Sequence, residues 1–245
     1  MTRRPALVGI SHGTSSPEGR RAVLRLHDAV VEAVARRHPD APPSVRLGHV
    51  DVEQPDVPAT LASLADGEPA VVVPLLLSAG YHVYVDLTEA VDEERARPVV
   101  LAGALGPDDR LATVLLRRLH EAGLRDGDRI VLAVAGSSDR RAVHDCLEQA
   151  RRLGEAAERE VTVGFLSAAE PRLPTAVASA RASLAPGGRV VVANYLLAPG
   201  YFDDLARAAG ADVTAEPLLV PDEPAPRELV DVVLDRYAAS ARALD

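Results

Sequence analysis

Two histidines hold the positions in this chain where side-chain chemistry is easiest to imagine. His12 sits in Ser11-His12-Gly13, directly after the apolar run 6–10, and His82 follows the apolar run 71–77 and the small-residue break Ser78-Ala79-Gly80. Runs of that length, rich in β-branched residues, read as strands buried on both faces. In an open parallel sheet, ligands bind beyond the carboxyl ends of the strands. Imidazole ligates first-row divalent metals and exchanges its proton near neutral pH. Two imidazoles on one sheet edge would therefore hold a divalent cation and accept protons in the same cleft. Asp86 lies four residues after His82, on the same helical face one turn later. It is placed either to orient that imidazole or help hold a cation, or to serve as a surface acid favoured by the helix dipole. Glu89, one turn further, is a weaker candidate.

The other histidines carry less. His27, His38, His120 and His144 fall on helical patterns and read as solvated positions. His49 lies inside a strand and reads as a packed or edge residue. Gly9-Ile10-Ser11-His12-Gly13 matches the nucleophile elbow G-x-S-x-G. Only eight residues precede it, and no histidine follows His144 to complete a triad in the required order, so a serine hydrolase using Ser11 is a minor alternative. For Ser11 the plain alternative is a turn residue satisfying backbone groups. Gly13-Thr14-Ser15-Ser16, opening a helix, offers N–H groups to an anion, or simply caps the helix. No phosphate-loop lysine and no G-x-G-x-x-G is present. Cys146 reads as a small buried residue.

The elements that must position these residues alternate strictly between strand and helix. Strands are expected at 6–10, 45–52, 70–77 and 98–101, and helices at 17–37, 56–64, 82–95 and 108–122. The order then repeats, with strands at 129–135, 161–166, 189–197 and an extended segment at 213–219. The matching helices fall at 139–153, 171–184, 201–209 and 224–243. Such alternation predicts an α/β fold of two similar domains, each a four-stranded parallel sheet flanked by helices. Internal similarity supports a duplication. Val190-Val191-Val192-Ala193-Asn194-Tyr195-Leu196-Leu197-Ala198-Pro199-Gly200-Tyr201-Phe202 parallels residues 70–82, with Phe202 where His82 stands; Ala135 likewise faces His12. The halves are divided as 1–124 and 125–245, and only the first keeps the two strand-end histidines, His12 and His82.

Length and composition narrow the classes. The chain has 245 residues, 47% hydrophobic and 26% charged, which is globular. A net charge of −9 without a basic patch argues against nucleic acid as a partner. One cysteine permits no internal disulfide. The first ten residues are too short for a signal h-region, and no apolar run approaches a membrane span. The expectation is a cytoplasmic protein with no membrane partner, and a duplicated chain predicts a monomer.

The stretches Ser11-His12-Gly13 and Pro74-Leu75-Leu76-Leu77-Ser78-Ala79-Gly80-Tyr81-His82-Val83, followed by Asp86-Leu87, resemble the class II tetrapyrrole chelatases. The specific likeness is to the long form of the sirohydrochlorin chelatase family, and it covers nearly the whole chain. The resemblance implies ATP-independent insertion of Fe²⁺ or Co²⁺ into sirohydrochlorin, on the route to sirohaem or cobalamin, with no organic cofactor. It implies His12 and His82 as catalytic residues and metal ligands, with Asp86 as a further ligand. Ser11, Tyr81 and Tyr84 would contact the macrocycle, and arginines such as Arg20 or Arg21 would meet its carboxylates. Short forms of the family often carry an acid three positions after the second histidine, where Val85 stands here. A non-catalytic tetrapyrrole or metal carrier of the same fold is the alternative reading.

Overall fold

The computed structural model describes residues 4–78 and 81–244, with the backbone alone for 81–84. The first half runs β1 (Ala6–Ser11), α1 (Pro17–Arg37), β2 (Val45–His49), α2 (Val57–Ala62), β3 (Ala70–Pro74), α3 (Tyr81–Glu93), β4 (Val99–Leu101) and α4 (Asp109–Glu121). The second runs β5 (Arg129–Val134), α5 (Arg140–Ala157), β6 (Val161–Phe165), α6 (Leu173–Ala182), β7 (Val190–Tyr195), α7 (Tyr201–Arg207), β8 (Val213–Thr214) and α8 (Arg227–Ala241). The strands form two all-parallel sheets, ordered β2-β1-β3-β4 and β6-β5-β7-β8. This is the duplicated α/β architecture expected from the alternation.

Local chemistry explains several boundaries. Ser16 caps α1 by accepting a hydrogen bond from the Gly19 N–H, and Pro17 fills the first helical position. Asp56, Asp108 and Asp139 cap α2, α4 and α5 in the same way. β2 ends at His49 rather than running to residue 52, because Val52 takes φ 64° and turns the chain away. The expected strand at 213–219 contracts to two residues, and α5 runs four residues beyond its expected end.

Strand alternation sends the two faces of each sheet to different cores. Ala6, Val8, Ile10, Ala70 and Val72 pack outward under α2 and α3. Val131, Ala133, Val190 and Val192 pack outward under α6 and α7. The inward residues of both sheets, among them Leu7, Val71, Val73, Ile130, Leu132 and Val191, belong to one continuous cluster. The closing helices fill it crosswise. α4 lies against β7 and α5 of the second half, and α8 lies against β3, β4 and α1 of the first. Leu111, Leu115 and Leu119 of α4 and Leu229, Val232 and Val233 of α8 are almost wholly buried there. Arg236 of α8 donates to the Ala104 and Leu105 carbonyls, and Arg110 of α4 pairs with Asp235, so the exchanged helices are tied at the rim.

His49 shows how one strand position diverged between the halves. It pairs with Ser11 across β1 and β2, and its Nδ1 lies 2.8 Å from the Ser11 hydroxyl. Its counterpart Phe165 pairs with Val134 and is buried without polar contacts. His49 is 7% exposed. Burial lowers its pKa from 6.5, opposed by Glu53 and assisted by Arg20.

Two outcomes follow from this packing. Because the inner core is common to both sheets, heat unfolds the chain in one calorimetric transition, and Leu115→Ala shifts that single transition by about 2–5 kcal/mol. Two separated transitions would contradict a shared core. The second outcome concerns His49. The folded chain takes up its proton at a lower pH than the unfolded chain does. The stability of neutral His49 is therefore complete above 6.5 and is lost as pH falls from there towards the folded value. Between pH 7 and 5 the melting temperature of wild type should fall more steeply than that of His49→Phe; equal slopes would refute this. His27 and His38 remain in both proteins and cancel from the comparison.

Candidate functional site

The carboxyl ends of β1, β2 and β3 deliver the loops that form the site. β1 and β3 are neighbours, with Ile10 beside Pro74, so the loops that follow them open on the same sheet edge. His12 is the first residue after β1 and its side chain is exposed. His82 is the second residue of α3, the helix that begins beyond β3. The side chains of Tyr81, His82 and Tyr84 lie outside the described residues. Asp86 is exposed one turn further along α3. Ser11 is buried at 3% exposure, and its hydroxyl meets His49 and the Gly13 N–H beneath the loop.

That burial bears on the nucleophile-elbow reading. In a catalytic triad the serine and the acid bond opposite nitrogens of the imidazole. Here both Ser11 and the Glu53 carboxylate approach His49 Nδ1, at 2.8 and 4.0 Å. Ser11 is thus a packed serine that fixes the start of the His12 loop.

The His12 loop is held by the loop after β2. The Asp51 N–H donates to the His12 carbonyl at 3.0 Å and the Val50 N–H to the Ser11 carbonyl at 2.9 Å. Gly13 takes φ 90°, and a Cβ there would stand 2.0 Å from the Asp51 carbonyl oxygen. Glycine is required both by the conformation and by this close approach. Val52, a β-branched residue at φ 64°, is a strained position of the kind that gathers at functional sites. The Asp51 carboxylate accepts from its N–H at 2.7 Å and holds the turn.

The anion site expected at the opening of α1 is filled by the chain itself. Glu53 Oε1 accepts from the Thr14 N–H at 2.7 Å, and Glu53 Oε2 pairs with Arg20 at 3.0 Å. Arg20 also donates to the Thr14 carbonyl. The carboxylate therefore stands where an external anion would have bound, and Arg20 is occupied with it, whereas Arg21 is exposed on α1. In the second half Glu53, Arg20 and His49 correspond to Ala169, Val143 and Phe165. At Val143 and Ala169 lies a hollow of about 480 Å³, bordered also by Ser137, Arg140 and His144.

The second half nonetheless reaches into the first. Tyr195, at the end of β7, donates its hydroxyl to the Leu77 carbonyl at 3.0 Å, in the loop that leads to His82. Gly106 leaves the room for this contact, since a Cβ there would lie 2.0 Å from the Tyr195 hydroxyl and 2.5 Å from the Leu77 carbonyl. Complete burial raises the Tyr195 pKa well above 10, so it remains a donor. Burial pushes the Cys146 thiol on α5 up to about 11, with the nearby Ser78 side chain opposing the rise. On the other side, the Pro199 carbonyl of the β7–α7 loop packs against Gly19 of α1, and Gly200 lies against Thr14. Each histidine-bearing loop is thus buttressed by the half that has no equivalent histidine.

Sequence reasoning did not anticipate Glu53, Tyr195 or Gly106. A signal for Glu53 was present, because its duplicate position holds Ala169. Tyr195 and Gly106 act through a contact between residues far apart in the chain, which periodicity does not reveal. Among the described residues no group of three or more histidine, cysteine or acidic side chains converges as a ready metal cage. No described helix is long and apolar enough to cross a membrane.

Comparison with known proteins agrees with this architecture. The family model CbiX matches twice, over residues 6–122 and 129–216. The sirohydrochlorin cobaltochelatase of Sulfurisphaera tokodaii is 31% identical over 87 residues, covering 35% of this chain and 72% of that protein. Among solved structures, SirB from Bacillus subtilis with Fe³⁺ superposes with a TM-score of 0.74 at 17% identity, over 97% of this chain and 96% of that one. CbiX, described as the terminal enzyme for siroheme biosynthesis in denitrifying bacteria, gives a TM-score of 0.63 at 16% identity, over 96% and 99% of the two chains. At these identities the two structures speak for the fold; the family match and the Sulfurisphaera relative speak for kinship. Two matches in tandem on two fused four-stranded halves mean that the chain belongs to the CbiX family of sirohydrochlorin chelatases, in its long form.

Proposed function

We propose that this protein inserts a divalent metal ion, Fe²⁺ or Co²⁺, into sirohydrochlorin without ATP, using His12 and His82. The observation that carries the proposal is the placement of His12. It is exposed beyond β1, on the edge where the adjacent strand β3 leads into the first turn of α3 and His82. The family membership supplies the substrate class, and the cobaltochelatase relative and the Fe³⁺-bound SirB indicate the two ions to be compared.

The chemistry asks little beyond what these residues offer. Metal insertion replaces two pyrrole N–H protons with one divalent ion. Neutral imidazoles near pH 7 act as general bases for those protons. They also ligate the incoming ion through nitrogen, a donor suited to either metal. Asp86 assists His82 or the cation from one helical turn away. Ser11 contributes from beneath, by holding the His12 loop, and Tyr81 and Tyr84 flank His82 in the first turn of α3. The hydrogen bond to Glu53 holds the backbone of the His12 loop at Thr14, and the one from Tyr195 holds the chain after β3 at Leu77, which supports a site whose backbone is set before the ring arrives.

Anaerobic insertion assays with purified protein, metal-free sirohydrochlorin and each ion in turn test this directly. His12→Ala and His82→Ala should each slow insertion by about a hundredfold or more, with circular dichroism unchanged. Wild-type rates in either variant would remove the assignment, and binding of the tetrapyrrole with no acceleration over the uncatalysed reaction would favour a carrier. Asp86→Asn should raise the metal concentration needed for half-maximal rate by roughly tenfold. An unchanged metal dependence would reduce Asp86 to a surface acid.

A further inference from the structure

Aromatic side chains are scarce in this chain, which has two Phe, five Tyr and no Trp. Most of those described are spent on the core: Phe165, Tyr195 and Tyr237 are buried. Two are not. Tyr201 is 73% exposed and Phe202 36%, and they stand side by side at the start of α7 with ring centroids 5.7 Å apart and planes tilted by 51°. An adjacent exposed aromatic pair in so aromatic-poor a protein calls for an occupant.

Its orientation is built, not incidental. The next residue, Asp203, points the other way, into the protein. It is buried, accepts from the Asn194 side-chain amide at 2.7 Å and pairs with Arg207 at 3.0 Å. Asn194 is itself fully buried at the end of β7. The first half has Pro74 and Val83 at the matching positions, so this polar anchor belongs to the second half alone. It fixes the first turn of α7 and leaves the preceding two rings outside the core.

The pair also stands beside the site. Gly200, immediately before Tyr201, lies against Thr14 and Ser16, and the Pro199 carbonyl lies against Gly19. Thr14 is two residues from His12. The turn that leads into the two rings therefore abuts the His12 loop. By the internal duplication, Tyr201 and Phe202 occupy the places of Tyr81 and His82.

We infer that Tyr201 and Phe202 form a stacking surface for the planar, metal-free tetrapyrrole, contributed by the half that lacks the histidines. The inference rests on the proposed chelatase reaction and deepens it. A conjugated macrocycle offers a wide π face, and offset or tilted contacts with aromatic rings are favoured at centroid separations of about 4.5–7 Å. A phenyl ring holds such a face without competing for its central protons or for the metal. On this reading the duplication divided the labour: one first turn kept the imidazole, and the other became a platform.

The test measures the dissociation constant of metal-free sirohydrochlorin by absorbance titration in the absence of metal, together with KM and kcat for insertion. It compares wild type with Phe202→Ala, Tyr201→Ala and Phe202→Trp. The two alanine variants should raise both the dissociation constant and KM by roughly five- to tenfold, with kcat within about twofold of wild type. Phe202→Trp should restore wild-type affinity. Because both side chains are exposed, the variants should melt with wild type, and the titration reads correctly folded protein. An unchanged dissociation constant in both alanine variants overturns the inference, as does a loss in kcat with KM unaltered, or a Trp variant as weak as Ala. If wild type itself fails to accelerate metal insertion, the chelatase reading falls instead, and the titration still decides whether the rings hold the macrocycle.

Discussion

The constraint on which this molecule depends is the common core between its two sheets. Each sheet has an outer face covered by its own short helices and an inner face too apolar to meet water. Leu7, Val71 and Val73 on one side and Ile130, Leu132 and Val191 on the other must therefore be covered together. The closing helices do this crosswise, α4 over the second sheet and α8 over the first. At about 25 cal/mol per Å² of apolar surface, such burial outweighs the ion pairs that decorate the rim. Those pairs fix register more than they add stability.

The site inherits its rigidity from this arrangement. Loops at a sheet edge are ordinarily its most mobile parts. Here the β1–α1 loop is closed by Glu53, which supplies a carboxylate to the Thr14 N–H and to Arg20. After β3 the chain is held at Leu77 by the Tyr195 hydroxyl. One closure is internal to the first half and the other crosses between halves. An exposed side chain such as His12 can thus be presented on a fixed backbone, a condition for positioning catalysis.

Much of this was legible in the sequence. Apolar runs bounded by turn residues located the strands, Ser16-Pro17 marked the start of α1, and the two copies of the Gly-Tyr segment revealed the duplication. The strictly parallel sheets followed from alternation. What remained hidden was relational. The stripe of Leu111, Leu115 and Leu119 says that α4 is buried, but a stripe carries no address, and the sheet it covers lies in the other half. Glu53 reads as one of many acids until Thr14 and Arg20 are folded onto it. A reactive role for Ser11 stays open as a minor alternative until β2 brings His49 alongside and the hydroxyl is seen to be enclosed. Such facts depend on contacts tens of residues apart, which local periodicity does not encode.

The bond from Tyr195 to the Leu77 carbonyl has an evolutionary reading. Once a copy has shed its own imidazoles and taken to bracing its sibling, neither can be discarded. Gly106 records the commitment, since any larger residue would expel the bracing hydroxyl. The two halves, alike in fold, are no longer interchangeable: the second carries a strut for the first, and free-standing halves would have to rebuild that contact from nothing.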